Sequence, residues 1–214
     1  MKFSTSVGFV AAAASVAALP AQDSVAARIA GASPLTWRGV VHPNEAPVTL
    51  QGTAKEIYET IVSMNPNYDE QLGITSVSST KSVEVDSLQK RLAPTSSDYT
   101  CAYGNYVNAL PIAEDIKYLY SIGNADCVAP AGQPGAGGCS RVSCNSNAGV
   151  WLCNDQNFET HIPCTLIADN AVEILIKCQY TTYANGVWDS FVRGQIFSTD
   201  RSWNTIVNSA GGSC

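Results

Sequence analysis

The side chains of this chain that could carry acid–base chemistry are few and lie close together in sequence. His161 stands two residues from Glu159 and six from Asp155, and Asp169 and Glu173 follow shortly after. An imidazole beside carboxylates has the makings of a general base, and two carboxylates at the right separation hydrolyse glycosidic bonds. A serine nucleophile would need a partner brought from a distant loop, because no Gly-x-Ser-x-Gly turn occurs. His161 immediately precedes the Ile162-Pro163 pair, so a place at the approach to a helix is expected of it ahead of catalysis. The acidic residues read first as a solvated face. A small secreted hydrolase using acidic residues is the alternative reading.

Cysteine is the other reactive type. Eight occur, at Cys101, Cys127, Cys139, Cys144, Cys153, Cys164, Cys178 and Cys214, and the first 100 residues contain none. An even number with no Cys-x-x-Cys pair argues for four disulfides rather than a thiol nucleophile. Metal binding is not expected, since His161 is the only histidine after residue 42. Eight cysteines allow ~105 connectivities, and spacing does not choose among them. No cofactor is implied.

Binding chemistry is carried by aromatics. Trp151 and Trp203 fall in strand-like runs whose rings a small domain buries. Trp188, in the loop-like stretch 184–189 and near Tyr180 and Tyr183, is the candidate for an exposed binding contact. Residues 92–214 carry ten acidic against five basic side chains, a net charge of −5. Phosphate contacts and polybasic membrane adhesion both need positive charge, so nucleic acid and anionic lipid are poor partners.

The elements that must position these groups fall into three segments. Residues 1–18 read as a signal peptide: Lys2, an apolar run from Val7 to Leu19, and small residues before a cut after Ala18, with Ala21 competing. The run is too short for a membrane span, which takes ~20 residues. Residues 19–91 form a cysteine-free pro-segment that ends in Lys90-Arg91, a dibasic site for a kexin-type processing protease. Within it, Val48-Thr49-Leu50 reads as a strand, and Thr53-x-x-Glu56 is a capping box opening a helix through Ile57 and Ile61 to Asn65-Pro66. A second strand is expected over 74–85. This small separate β-α-β unit would serve as a folding aid, a mask or a spacer.

Residues 92–214 form the cysteine-rich mature domain. One helix is expected from Pro111 to Gly123, with Glu114 and Asp115 in its first turn. A second runs from Pro163 to Cys178, with cysteines near its ends pinning it to neighbouring strands. The runs 141–144 and 150–153 flank a turn-rich stretch and predict a hairpin; 191–197 and 203–208 predict a second strand pair. The glycine-rich stretch 132–138 runs into Cys139 rather than a Lys-Ser/Thr and helix, which marks a disulfide-tethered loop and not a phosphate cradle. Together these give an α+β fold, a two-layer sandwich of antiparallel sheet and two helices stabilised by disulfides.

The order Cys178, Arg193-Gly194-Gln195-Ile196-Phe197, Trp203-Asn204-Thr205-Ile206-Val207, Cys214 resembles small secreted fungal proteins of two related kinds. These are the virus-encoded killer toxins of smut fungi (KP-four type) and the Ecp-two type of necrosis-inducing effector. The resemblance covers residues 101–214. It implies a two-layer α/β sandwich and a role in harming or manipulating another cell. Those toxins are basic and act much as calcium-channel blockers do, through a lysine. This domain is acidic, with Lys117 and Lys177 in predicted helices, so no lysine is carried over. The expectation is a secreted, extracellular effector or toxin-like protein that is not an enzyme. It would act by binding an extracellular or membrane component of a host or competitor cell. A structural cell-wall protein would show low-complexity repeats, which are absent here.

Overall fold

The computed structural model describes residues 22–74 and 98–214, apart from 124, 134, 135 and 213. The expected signal peptide, the Lys90-Arg91 pair and nearly all of the strand expected over 74–85 lie outside the described residues. The first segment holds helix α1 (Gln22–Ala30), strands β1 (Ser33–Gly39) and β2 (Val48–Gly52), and helices α2 (Ala54–Met64) and α3 (Tyr68–Gln71). Next come β3 (Tyr99–Thr100), β4 (Val107–Asn108), α4 (Ala109–Ser121), β5 (Asp126–Ala129), β6 (Gly132–Gln133) and β7 (Ala136–Gly137). The chain continues through β8 (Cys139–Asn145), β9 (Ala148–Asn154), β10 (Thr160–Pro163) and α5 (Cys164–Cys178). It ends with β11 (Tyr180–Ala184), β12 (Val187–Val192), β13 (Gly194–Phe197) and β14 (Trp203–Ser209).

The fold is α+β. Nine strands make one sheet in the order β10-β5-β1-β8-β9-β14-β13-β3, with β2 paired to β1. A second sheet has the order β11-β12-β4, and β6-β7 is a short ribbon in the glycine-rich stretch. Among the described residues every pairing is antiparallel except β1 with β8. All eight cysteines are joined, as Cys101–Cys178, Cys127–Cys164, Cys139–Cys153 and Cys144–Cys214.

Among the described residues, 92–214 hold two helices, α4 and α5, where two were expected, and the first segment adds α1 and α3 to the expected α2. One expectation needs correction: the segment read as a pro-segment is not a separate unit. Strand β1 hydrogen-bonds to β5 through Thr36–Arg38 and to β8 through Ser33 and Pro34, so it joins the β10–β5 pair to the main ladder. Leu35, Trp37, Ile57, Ile61 and Tyr68 lie buried in the same core as Ile112, Ile116 and Leu119. Burial against the neighbouring domain removes these large apolar side chains from water.

The local reasons are plain. The capping box forms as expected: Thr53 Oγ1 accepts from the Glu56 amide, and Glu56 accepts from the Thr53 amide at 2.7 Å. Helix α4 starts earlier than Pro111 because Asn108 caps it, its side chain accepting from the Leu110 amide at 2.9 Å. Asp115 therefore falls past the first turn and is buried. Helix α5 is stapled at both ends, Cys164 to β5 and Cys178 to the chain just after β3. The β8–β9 hairpin turns at Ser146-Asn147, both at positive φ. The stretch 191–197 is split at Arg193: Gly194, at φ 157°, would set a Cβ 3.0 Å from the Thr100 carbonyl oxygen and 3.2 Å from the Cys178 sulfur. Only glycine lets the chain leave one sheet and enter the other there.

Candidate functional site

Strands β11 and β12 form a hairpin around Asn185-Gly186, both residues at positive φ as a two-residue turn requires. Tyr183 and Trp188 face each other directly across it, with ring centroids 4.8 Å apart. They are among the most exposed large side chains described, at 61% and 70%. Trp188, expected in a loop, stands on strand β12 next to the Asn185-Gly186 turn, whose Asn-Gly pair is a hairpin signal. The base of the hairpin is held firmly. Tyr180 meets Tyr106 edge-on at 4.7 Å and stacks on Phe191 at 5.6 Å. The Arg193 guanidinium lies 4.1 Å from the Tyr106 ring centre and donates to the carbonyls of Cys101 and Gly104. The Cys101–Cys178 bond fixes the strand just before Tyr180. A rigid root thus presents an aromatic tip to solvent. Trp151 is buried and Trp203 packs against the core, as expected of strand tryptophans.

The carboxylates are distributed rather than gathered. Glu159 meets His161 Nε2 at 3.0 Å, and Asp126 meets Nδ1 at 3.3 Å, so the imidazole sits between two acids at an exposed position. Asp169 accepts from the Tyr120 hydroxyl at 2.6 Å, and burial raises its pKa, with Glu173 adding to the effect. Glu173 is ion-paired with Lys177 at 2.9 Å, one helical turn away. Asp155 is engaged elsewhere, as the acceptor of a buried ion pair from Arg28. Its other oxygen accepts from Asn204 at 2.6 Å, and Asn204 in turn accepts from Gln195 at 2.9 Å. Arg28 belongs to the first segment, and nothing in the sequence marked it as the partner of Asp155.

Asp115, expected in the first turn of its helix, is another buried acid. Asp115 on α4 has an oxygen with no hydrogen-bond partner, and burial pushes its pKa up to about 6, with the Ser143 hydroxyl opposing the shift. A cleft of about 610 Å³ opens where the two segments meet, between Gly39, Val40 and Tyr68 on one side and Tyr120, Gly123 and Thr165 on the other. Among the described residues no cluster of His, Cys, Asp or Glu could hold a metal ion, and no helix is long and apolar enough to cross a membrane.

Compared with known protein families, curated proteins and solved structures, the chain matches none.

Proposed function

We propose that this is a secreted, proteolytically matured effector or toxin-like protein that acts by binding a component of a host or competitor cell. The Tyr183–Trp188 pair at the free end of a rooted hairpin carries the reading. Exposed aromatics of this size are what a binding surface spends on contact, because each removes a large area from water at little cost in side-chain freedom. Four disulfides support export to an oxidising compartment, as does the N-terminal leader. Lys90-Arg91 supports cleavage by a kexin-type protease. The resemblance of residues 101–214 to the killer-toxin and necrosis-inducing families supports action on another cell. Of the two lysines in residues 92–214, Lys177 is held by Glu173 and lies over the Tyr99 ring.

A second reading, a small hydrolase, rests on His161 between Asp126 and Glu159. Infiltration of plant tissue with the purified protein separates the two. Cell death that is lost on reduction and weakened by Trp188→Ala supports the binding reading. Turnover of a polysaccharide or peptide panel that is abolished by His161→Ala and indifferent to Trp188→Ala supports the hydrolase.

A further inference from the structure

The pro-segment grips the rest of the chain from both sides of the sheet. On one face, α2 packs on α4, the Trp37 indole donates to the Ile122 carbonyl at 3.1 Å, and Tyr58 lies against Tyr118. On the other, Val25 and Ile29 of α1 cover Trp151, Ile206 and the Cys139–Cys153 disulfide. Between these layers β1 makes ladder bonds to β5 and β8. The Arg28–Asp155 pair closes the α1 side with both partners more than nine-tenths buried. A leader meant to fall away would not ordinarily supply an interior strand of its cargo's sheet. Its departure would leave the β10–β5 pair without a ladder to the remaining strands and would strip Asp155 of its counter-charge.

We propose that the segment ending at Arg91 is the first chain of a two-chain mature protein, kept after the cut by the slot that β1 fills and by the Arg28–Asp155 pair. No cysteine lies before Cys101, so nothing covalent would then join the two chains. The processing reading supplies the cut itself, but the association does not depend on it.

The test uses the full secreted chain with a site for an unrelated, sequence-specific protease introduced between residues 75 and 97. After cutting, native gel filtration with mass analysis of each peak should find both chains eluting together at the position of the uncut protein, separating only in denaturant. The amides of Thr36, Trp37 and Arg38 should keep the slow hydrogen exchange they have before cutting. A cut protein carrying Arg28→Ala should release the first chain at a lower denaturant concentration. Elution of the two chains apart under native conditions overturns the proposal, whether residues 98–214 then stay folded or precipitate. So does rapid exchange of the three β1 amides. In parallel, treating the unaltered chain with a kexin-type protease asks only whether cleavage occurs after Arg91. Failure there refutes the processing reading and leaves the association to stand or fall on the introduced site.

Discussion

Asp115→Asn gives the most direct check on the energetics of the core. Asp115 lies buried on α4, and its pKa is raised from 3.8 to about 6, first by burial. An acid whose pKa rises on folding binds its proton more tightly in the native state. Its penalty is therefore small below pH 3.8, grows between 3.8 and about 6, and is complete above that. A rise of about two units is worth about 3 kcal/mol at pH 7 and about 0.5 kcal/mol at pH 4. Asparagine keeps the shape and cannot ionise. The stability of the variant relative to the parent should therefore rise by about 2.5 kcal/mol between pH 4 and pH 7, on top of a pH-independent offset for the buried amide. The assay is urea unfolding at several pH values with disulfides intact, read by circular dichroism. Taking the difference between variant and parent at each pH cancels the titration of other carboxylates. A difference that is flat with pH, or that shrinks as pH rises, would refute the reasoning. Asp200, whose pKa is held down to about 2 by the Ser202 and Ser198 hydroxyls and the Ser202 amide, contributes a stability that is present above pH 3.8 and lost as pH falls toward 2, chiefly outside this window.

Trp37→Ala should destabilise the uncut chain by about 3–5 kcal/mol, because a fully buried ring leaves a cavity and the Ile122 carbonyl loses the shorter of its two hydrogen bonds, keeping only the Tyr68 hydroxyl at 3.5 Å. Thermal unfolding checks this, and a loss under 1 kcal/mol would mean the first segment is peripheral. Trp188→Ala should cost no more than about 1 kcal/mol of stability, the loss of an exposed cross-strand pair with Tyr183. It should still lower cell-death activity, and unchanged activity removes the hairpin tip from the site. Replacing both Cys101 and Cys178 by Ala should cost about 4.5 kcal/mol, against about 3 for Cys139 with Cys153, since the closed loops span 77 and 14 residues. Denaturant midpoints of the two double variants test the order.

Much of the scaffold was legible because it is written in local chemistry. The capping box at Thr53 and Glu56, the helix between Cys164 and Cys178 and the hairpin around residues 145–149 each depend on neighbours a few positions apart. The even cysteine count foretold four bonds, but not which sulfurs meet. The hairpin that bears Trp188 is written locally too, in Asn185-Gly186. Local spacing says nothing about what lies 127 residues away in the chain, and that is the separation between Arg28 and Asp155. The placement of β1 within the sheet, the burial of Asp115 and the scattering of Asp155, Glu159, Asp169 and Glu173 to different partners are likewise long-range. Sequence by itself determined which side chains are apolar, which turns are permitted and where sulfur is available. Tertiary structure alone decided that the cysteine-free segment belongs inside the sheet, because Trp37, Leu35 and Ile57 share one buried core with side chains that the rest of the chain provides.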